Sequence, residues 1–163
     1  MIITPTLHQL KQTAYLRLFG LLKIPLIAYL RPTVVELSDE RCVIRFPLRR
    51  RAKNHLRSMY FGALCIGADC AGGAIAIQRI HQSGAPVSFV FKDFQASFRK
   101  RAEGDVVFTC EEGPKLNELV KKAIESGERE EDAVRVIATV PDKMGDEPVA
   151  EFSLTISLKR KKE

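Results

Sequence analysis

Between Arg57 and Arg79 the chain carries one charged residue, Asp69, in the run SMYFGALCIGADCAGGAIAIQ. The run is long enough for a helix of several turns, and Met59, Phe61, Ala63, Leu64, Cys65, Ile66, Ala68, Ala71, Ala74, Ile75 and Ile77 would cover its whole circumference. A helix apolar all round is expected to be buried on all sides. A lone carboxylate there loses its hydration and persists only if hydrogen-bonded, paired or placed at a wet site. Asp69 is therefore the first functional candidate, with a purely structural pairing as the alternative. Gly62, Gly67, Gly72 and Gly73 each cost a helix about 1 kcal/mol relative to Ala, which implies close approach by another backbone or a ligand. A transmembrane span is rejected, because Gly62 and Gly67 do not follow the small-xxx-small spacing and Asp69 would sit near the bilayer centre.

At 163 residues and 45% hydrophobic content the chain suits one domain, residues 1–163, with a helical extension over 1–32 and a basic tail over 159–163 that is expected to be disordered. The net charge of +6 favours an anionic partner. The surplus is concentrated in Arg49-Arg50-Arg51, Lys53, Arg99-Lys100-Arg101 and Lys159-Arg160-Lys161-Lys162, and such clusters are usually solvated faces. No nucleic-acid motif accompanies them, so nucleic acid is not the expected partner. Cys42, Cys65, Cys70 and Cys110 form no C-x-x-C pair and read as reduced core residues. His8, His55 and His81 are not clustered, so no metal is expected. The opening MIITPTLHQLKQ lacks the order of a secretion signal, which makes a cytoplasmic location the expectation.

Thr6 is a candidate cap for a helix through Phe19, with Leu7, Leu10, Ala14 and Leu18 at helical spacing and Gly20 and Pro25 as interruptions. The apolar stretch Ala14 to Leu30 is expected to lie over a sheet. Its rival reading is an interfacial segment that touches a membrane surface or guards an acyl pocket. Thr33 to Ser38 and Arg41 to Leu48 read as a hairpin around Asp39-Glu40. The central helix is expected to break near Gln82-Ser83-Gly84. Val87, Phe89 and Phe91 then alternate, and Phe94, Ala96 and Phe98 alternate in the opposite phase, which places a bulge near Lys92-Asp93. Val106, Phe108 and Cys110 share a strand face. Pro114 opens an amphipathic helix that Ser126-Gly127 stops, and two strands follow around Val134 to Val140 and Phe152 to Leu158, joined by a turn over Asp142 to Glu147.

An apolar helix that antiparallel strands can wrap is the hot-dog arrangement, an α+β fold. The residues themselves resemble hot-dog-fold acyl-CoA thioesterases. In the branch resembling phenylacetyl-CoA thioesterases, an Asn lies six positions before a His-Gly-Gly that opens the helix, and an acid follows that His by nine. Here Asn54, Tyr60-Phe61-Gly62 and Asp69 stand at those spacings. FKDFQASFRKRAEGDVVF and EPVAEFSLTISL also resemble strand segments of the family, so the similarity covers roughly residues 33–158. It is strongest to an uncharacterised thioesterase-like branch. Two departures stand out. Tyr60 replaces the His, and Phe61 replaces the first Gly, whose N–H helps polarise the thioester carbonyl.

The resemblance implies a thioester carbonyl at the helix N-terminus, where the N–H groups of Phe61 and Gly62 would form an oxyanion hole. Asp69 would be the nucleophile or the general base, Asn54 would orient water or the carbonyl, and Tyr60 would donate in place of the His. As plain structural readings, Asn54 caps a turn and Tyr60 packs. The resemblance further implies a homodimer or tetramer with ligand bound between subunits. Arg99 and Arg101 are candidates for the phosphates of CoA, which enters only as part of the substrate, and no separate cofactor is expected. The alternative function is a catalytically silent acyl-CoA or lipid-binding module. A dehydratase would need a His paired with an acid, and neither His55 nor His81 is placed for that.

Overall fold

The computed structural model describes residues 5–161. Helix α1 (Leu7–Lys23) is opened by a capping box in which Thr6 accepts from the Gln9 backbone N–H while the Gln9 side chain accepts from Thr6 N–H. The helix runs on through Gly20 instead of ending at Phe19. Gly20 is buried at the crossing with α2 (Pro25–Leu30), where a Cβ would come within 2.8 Å of the Ala28 nitrogen, so this glycine permits a close helix contact. Strands β1 (Thr33–Leu37) and β2 (Cys42–Phe46) form the expected antiparallel hairpin.

Helix α3 (Phe61–Ser83) ends where Gly84 adopts the left-handed conformation, with φ of 66°. Strand β3 (Val87–Phe98) follows, with its pairing shifted between Phe91 and Asp93, the bulge that the reversed alternation predicts. The chain continues through β4 (Val106–Cys110), α4 (Gly113–Ser126), β5 (Arg129–Thr139), the short α5 (Pro141–Met144) and β6 (Pro148–Arg160). The six strands make one sheet in the order β1-β2-β4-β5-β6-β3, with every pairing antiparallel. The alternating positions of Val106, Phe108, Val134, Val136, Phe152, Leu154, Ile156 and Leu158 are buried in the core shared with α3 and α4.

Two expectations about α3 are corrected. It is long and apolar enough to cross a bilayer by composition, yet the sheet covers only part of its circumference. Gly62, Cys65, Ile66 and Asp69 are half-buried, and their spacing of three or four residues makes them one open stripe. Gly67, Gly72 and Gly73 meet strand side chains instead of another backbone, and Gly62 meets the Tyr60 ring. A Cβ on Gly67 would lie 2.2 Å from the Phe108 ring, and one on Gly73 would lie 3.2 Å from Phe89 and 3.3 Å from Phe91. Gly67 and Gly73 make room for large aromatic side chains of the sheet that lie against the helix.

The basic end is also corrected, since Lys159 and Arg160 belong to β6 and pair with β5 and β3. Lys162 and Glu163 lie outside the described residues, as does the start of the chain through Thr4. The sheet's two edges differ. At β1, Gln9 and Gln12 side chains of α1 donate to the carbonyls of Val35 and Leu37, and Val34 N–H donates to the Thr13 hydroxyl. At the other edge β3 presents twelve residues, most of them exposed, with β6 as its only neighbour among the described residues.

Candidate functional site

A cavity of about 780 Å³ opens between α1, α2, the cavity-facing side of α3, the β1–β2 hairpin and the first half of β3. Its wall is mainly apolar, including Leu16, Phe19, Ile27, Ile44, Ile77 and Phe89, and Asp69 is its one carboxylate among the described residues. This volume falls in the range of pockets that enclose small organic ligands. The N-terminal helices therefore roof a chamber as well as bracing the edge of the sheet.

Asp69 sits where the open stripe of α3 enters the cavity. Among the described residues no hydrogen bond or ion pair engages its carboxyl, so the structural reading of a buried Arg or amide partner has no support here. Burial alone pushes its pKa up to about 6. A carboxylate so poised is a stronger base than an exposed Asp and is still largely ionised at neutral pH.

The N-terminus of α3 forms a separate locus. Tyr60 is the N-cap residue and supplies no side-chain hydrogen bond to the helix. The first-turn N–H groups of Phe61 and Gly62 have no intrahelical acceptor, so they point out of the helix end with its partial positive charge. Tyr60 and Phe61 are about half exposed and their ring centroids are 4.8 Å apart. Phe61 continues edge-on to Phe98, and Phe98 to the buried Phe152, an aromatic path from the helix end into the core. Gly62 lets the Tyr60 ring fold against the helix, because a Cβ there would lie 2.5 Å from that ring.

The remaining candidates are placed as follows. Asn54 organises its own loop, its Oδ1 accepting from the backbone N–H groups of Leu56 and Ser58 and its Nδ2 meeting the Ser58 hydroxyl. Arg99 and Arg101 follow β3 on the same side as the α3 N-terminus, where Met59 N–H donates to the Ala102 carbonyl, and neither lines the cavity. Arg99 pairs with Glu151 at 3.2 Å and Arg101 with Glu103 at 3.7 Å. One feature was not foreseen from sequence: His81 and Tyr15 line the cavity and are hydrogen-bonded to each other at 2.8 Å. His81 lies twelve residues, about 18 Å of helix rise, from Asp69, so the two form no acid–imidazole pair. The sequence signal was only a polar residue in each helix, without a register to join them.

The family profile described as Domain of unknown function (DUF4442) matches residues 13–158. Among solved structures, a Chlorobaculum tepidum protein of unknown function superposes with a TM-score of 0.79 at 11% identity, covering 94% of this chain and 97% of its own. A Pseudomonas aeruginosa protein of unknown function, described as a "probable thioesterase", gives 0.73 at 24% identity, with 91% and 96% covered. A Haemophilus influenzae thioesterase gives 0.62 at 13% identity, with 96% and 92% covered. No curated protein sequence matches the chain. At these identities the likeness is one of fold, and that fold is the hot-dog fold of thioesterases.

Proposed function

The chain belongs to the DUF4442 family, and from that premise we propose that it is a thioesterase of acyl-CoA substrates, with Asp69 as its reacting carboxylate. The observation that carries this reading is an unpartnered carboxylate with a raised pKa at the wall of an otherwise apolar cavity large enough for an acyl chain. Medium or aromatic acyl chains suit its phenylalanine-rich wall. The open stripe of Gly62, Cys65 and Ile66 then gives the pantetheine arm a path from Asp69 toward the helix N-terminus, where Arg99 and Arg101 are candidates for the CoA phosphates.

In this mechanism the Asp69 carboxylate takes a proton from water as the water oxygen bonds to the thioester carbon. Negative charge collects on the former carbonyl oxygen, and backbone N–H donors stabilise it. Collapse breaks the C–S bond, and the proton passes to the departing CoA thiolate. In the nucleophilic version the carboxylate itself bonds to the carbonyl carbon, the CoA thiolate leaves and is protonated from solvent, and water cleaves the resulting anhydride.

A homodimer completes the site in this proposal. Phe61 N–H lies eight residues before Asp69 on the same helix, about 12 Å along the axis, too far to polarise a carbonyl that Asp69 attacks. The donor is supplied instead by the partner's Phe61, through association at the free edge of β3 and the open stripe of α3. A second reading, a silent acyl-binding module, is favoured by one observation: the Tyr60 and Phe61 rings crowd the helix end that would hold the carbonyl. Free-thiol release from acyl-CoAs of graded chain length separates the two. Hydrolysis with a preferred chain supports the thioesterase, whereas tight binding without cleavage on every chain leaves the binding module.

A further inference from the structure

The outer face of α1 and α2 has no counterpart in the cavity or the sheet. Leu7, Leu10, Leu18, Leu21 and Leu22 recur at helical spacing along α1 and are all exposed, with Leu22 at 69%, and Leu26 of α2 extends the patch at 62%. The opposite side of α1 carries Gln12, Leu16 and Phe19 toward the cavity and Gln9 and Thr13 toward β1, so the helix is already held by its inner side. Its outer leucines remain half or more exposed beside that packing. Contiguous exposed apolar surface of this kind marks a docking face.

Charge identifies what docks there. From residue 1 to residue 35 the sequence contains Lys11, Arg17, Lys23 and Arg31 and neither Asp nor Glu. The fold adds to them. Arg49, Arg50 and Arg51 are exposed in the short turn that packs beside α2, where the Arg51 guanidinium lies 4.9 Å over the Tyr29 ring and donates to the Tyr29 carbonyl. Among the described residues none of these seven cations is in an ion pair, whereas Arg41, Arg45, Arg79, Arg99 and Arg135 elsewhere are all paired with acids. An apolar helical face bordered by unneutralised Lys and Arg is complementary to an anionic lipid surface: leucines enter the acyl boundary while the cations reach the headgroups.

We propose that the α1–α2 face docks on anionic lipid bilayers and lies in the plane of the interface. The cavity then lies directly beneath the docked helix, between the membrane and Asp69. This inference concerns binding and does not depend on thioester hydrolysis.

The test is flotation of the full chain with vesicles of phosphatidylcholine alone or with about one third phosphatidylserine, at low and high salt. The wild type is expected to float with the anionic vesicles, to lose most of that binding at high salt, and to stay in solution with the neutral ones. Leu18→Glu with Leu22→Glu, both at exposed positions, should abolish flotation with circular dichroism unchanged. Arg49→Gln with Arg50→Gln should weaken it about five-fold per charge removed. Equal binding to neutral and anionic vesicles, or none to either, overturns the proposal. So does a leucine variant that still floats but separates an oligomer into monomers, since the face is then an interface between copies. Release of thiol from a short, soluble acyl-CoA without vesicles is measured in parallel and should be the same in these variants, so failure of the hydrolase reading remains distinct from failure of the docking.

Discussion

Asp69 and Phe61 lie on one helix about 12 Å apart along its axis, one at an apolar cavity wall and the other at the free N-terminus. A general base and an oxyanion donor at that separation serve one carbonyl only when they come from different copies. In the proposed homodimer, placing Lys at Ala96, an exposed position of β3 between Phe94 and Phe98, would set like charges against each other across the free edge. Ala96→Lys is predicted to be monomeric by light scattering and to lose hydrolysis with its fold intact. A fully active monomer would remove the need for a second copy.

The raised pKa of Asp69 makes a prediction about stability. Its folded-state pKa of about 6 lies above the ordinary value of 3.8, so the folded chain holds its proton more tightly than the unfolded chain does. Stability from this group is fully present below about pH 4 and is lost as pH rises through about 6, a loss on the order of 2–3 kcal/mol. Asp69→Asn should therefore melt higher than the wild type at pH 7.5, and the difference should vanish near pH 4. A variant less stable at pH 7.5 would mean that the carboxylate is held by a favourable partner.

The glycines of α3 separate two packing regimes. Gly67→Ala drives a methyl into the Phe108 ring, which is fully buried and packed on Phe46. The strain of about 1–3 kcal/mol outweighs the gain of about 1 kcal/mol in helix propensity, so a net loss is expected in urea denaturation. At Gly73 the contacts are 3.2 and 3.3 Å to rings that are only partly buried, and Gly73→Ala should be nearly neutral.

Much of the fold is legible in the sequence because burial imposes a period on it. The phase reversal between Phe91 and Phe94 gives the bulge of β3, and Gly84 and Gly127 sit in the left-handed conformation at the two helix ends where they were expected. Period fails where no core is touched. Arg129 to Asp132 carry no apolar alternation, yet they extend β5 because Lys159 to Ile156 of β6 offer a ladder beside them. Lys159 and Arg160 are strand residues for the same reason. Asp69 stood out because it is one charge in an apolar run. The cavity it lines did not, since its wall is assembled from six elements, each apolar for its own local reasons.

Cys65 reports on the open stripe. Burial pushes all four thiols up, but Cys42, Cys70 and Cys110 are buried out of reach of reagents, whereas Cys65 is half-buried. In Ala96→Lys one thiol, Cys65, should react first with a thiol reagent. In the wild type it should react more slowly if the proposed homodimer covers the stripe. Equal rates would place the interface elsewhere.

The most direct test is thioester hydrolysis by the wild type and by Asp69→Asn, followed by free-thiol release from pH 5 to 8, with circular dichroism to verify the fold. The account predicts wild-type activity that rises through about pH 6 as Asp69 ionises, and a loss of about 10²–10⁴-fold in the variant. Equal rates in the two proteins across that range would contradict it, because the carboxylate would then take no part in the chemistry.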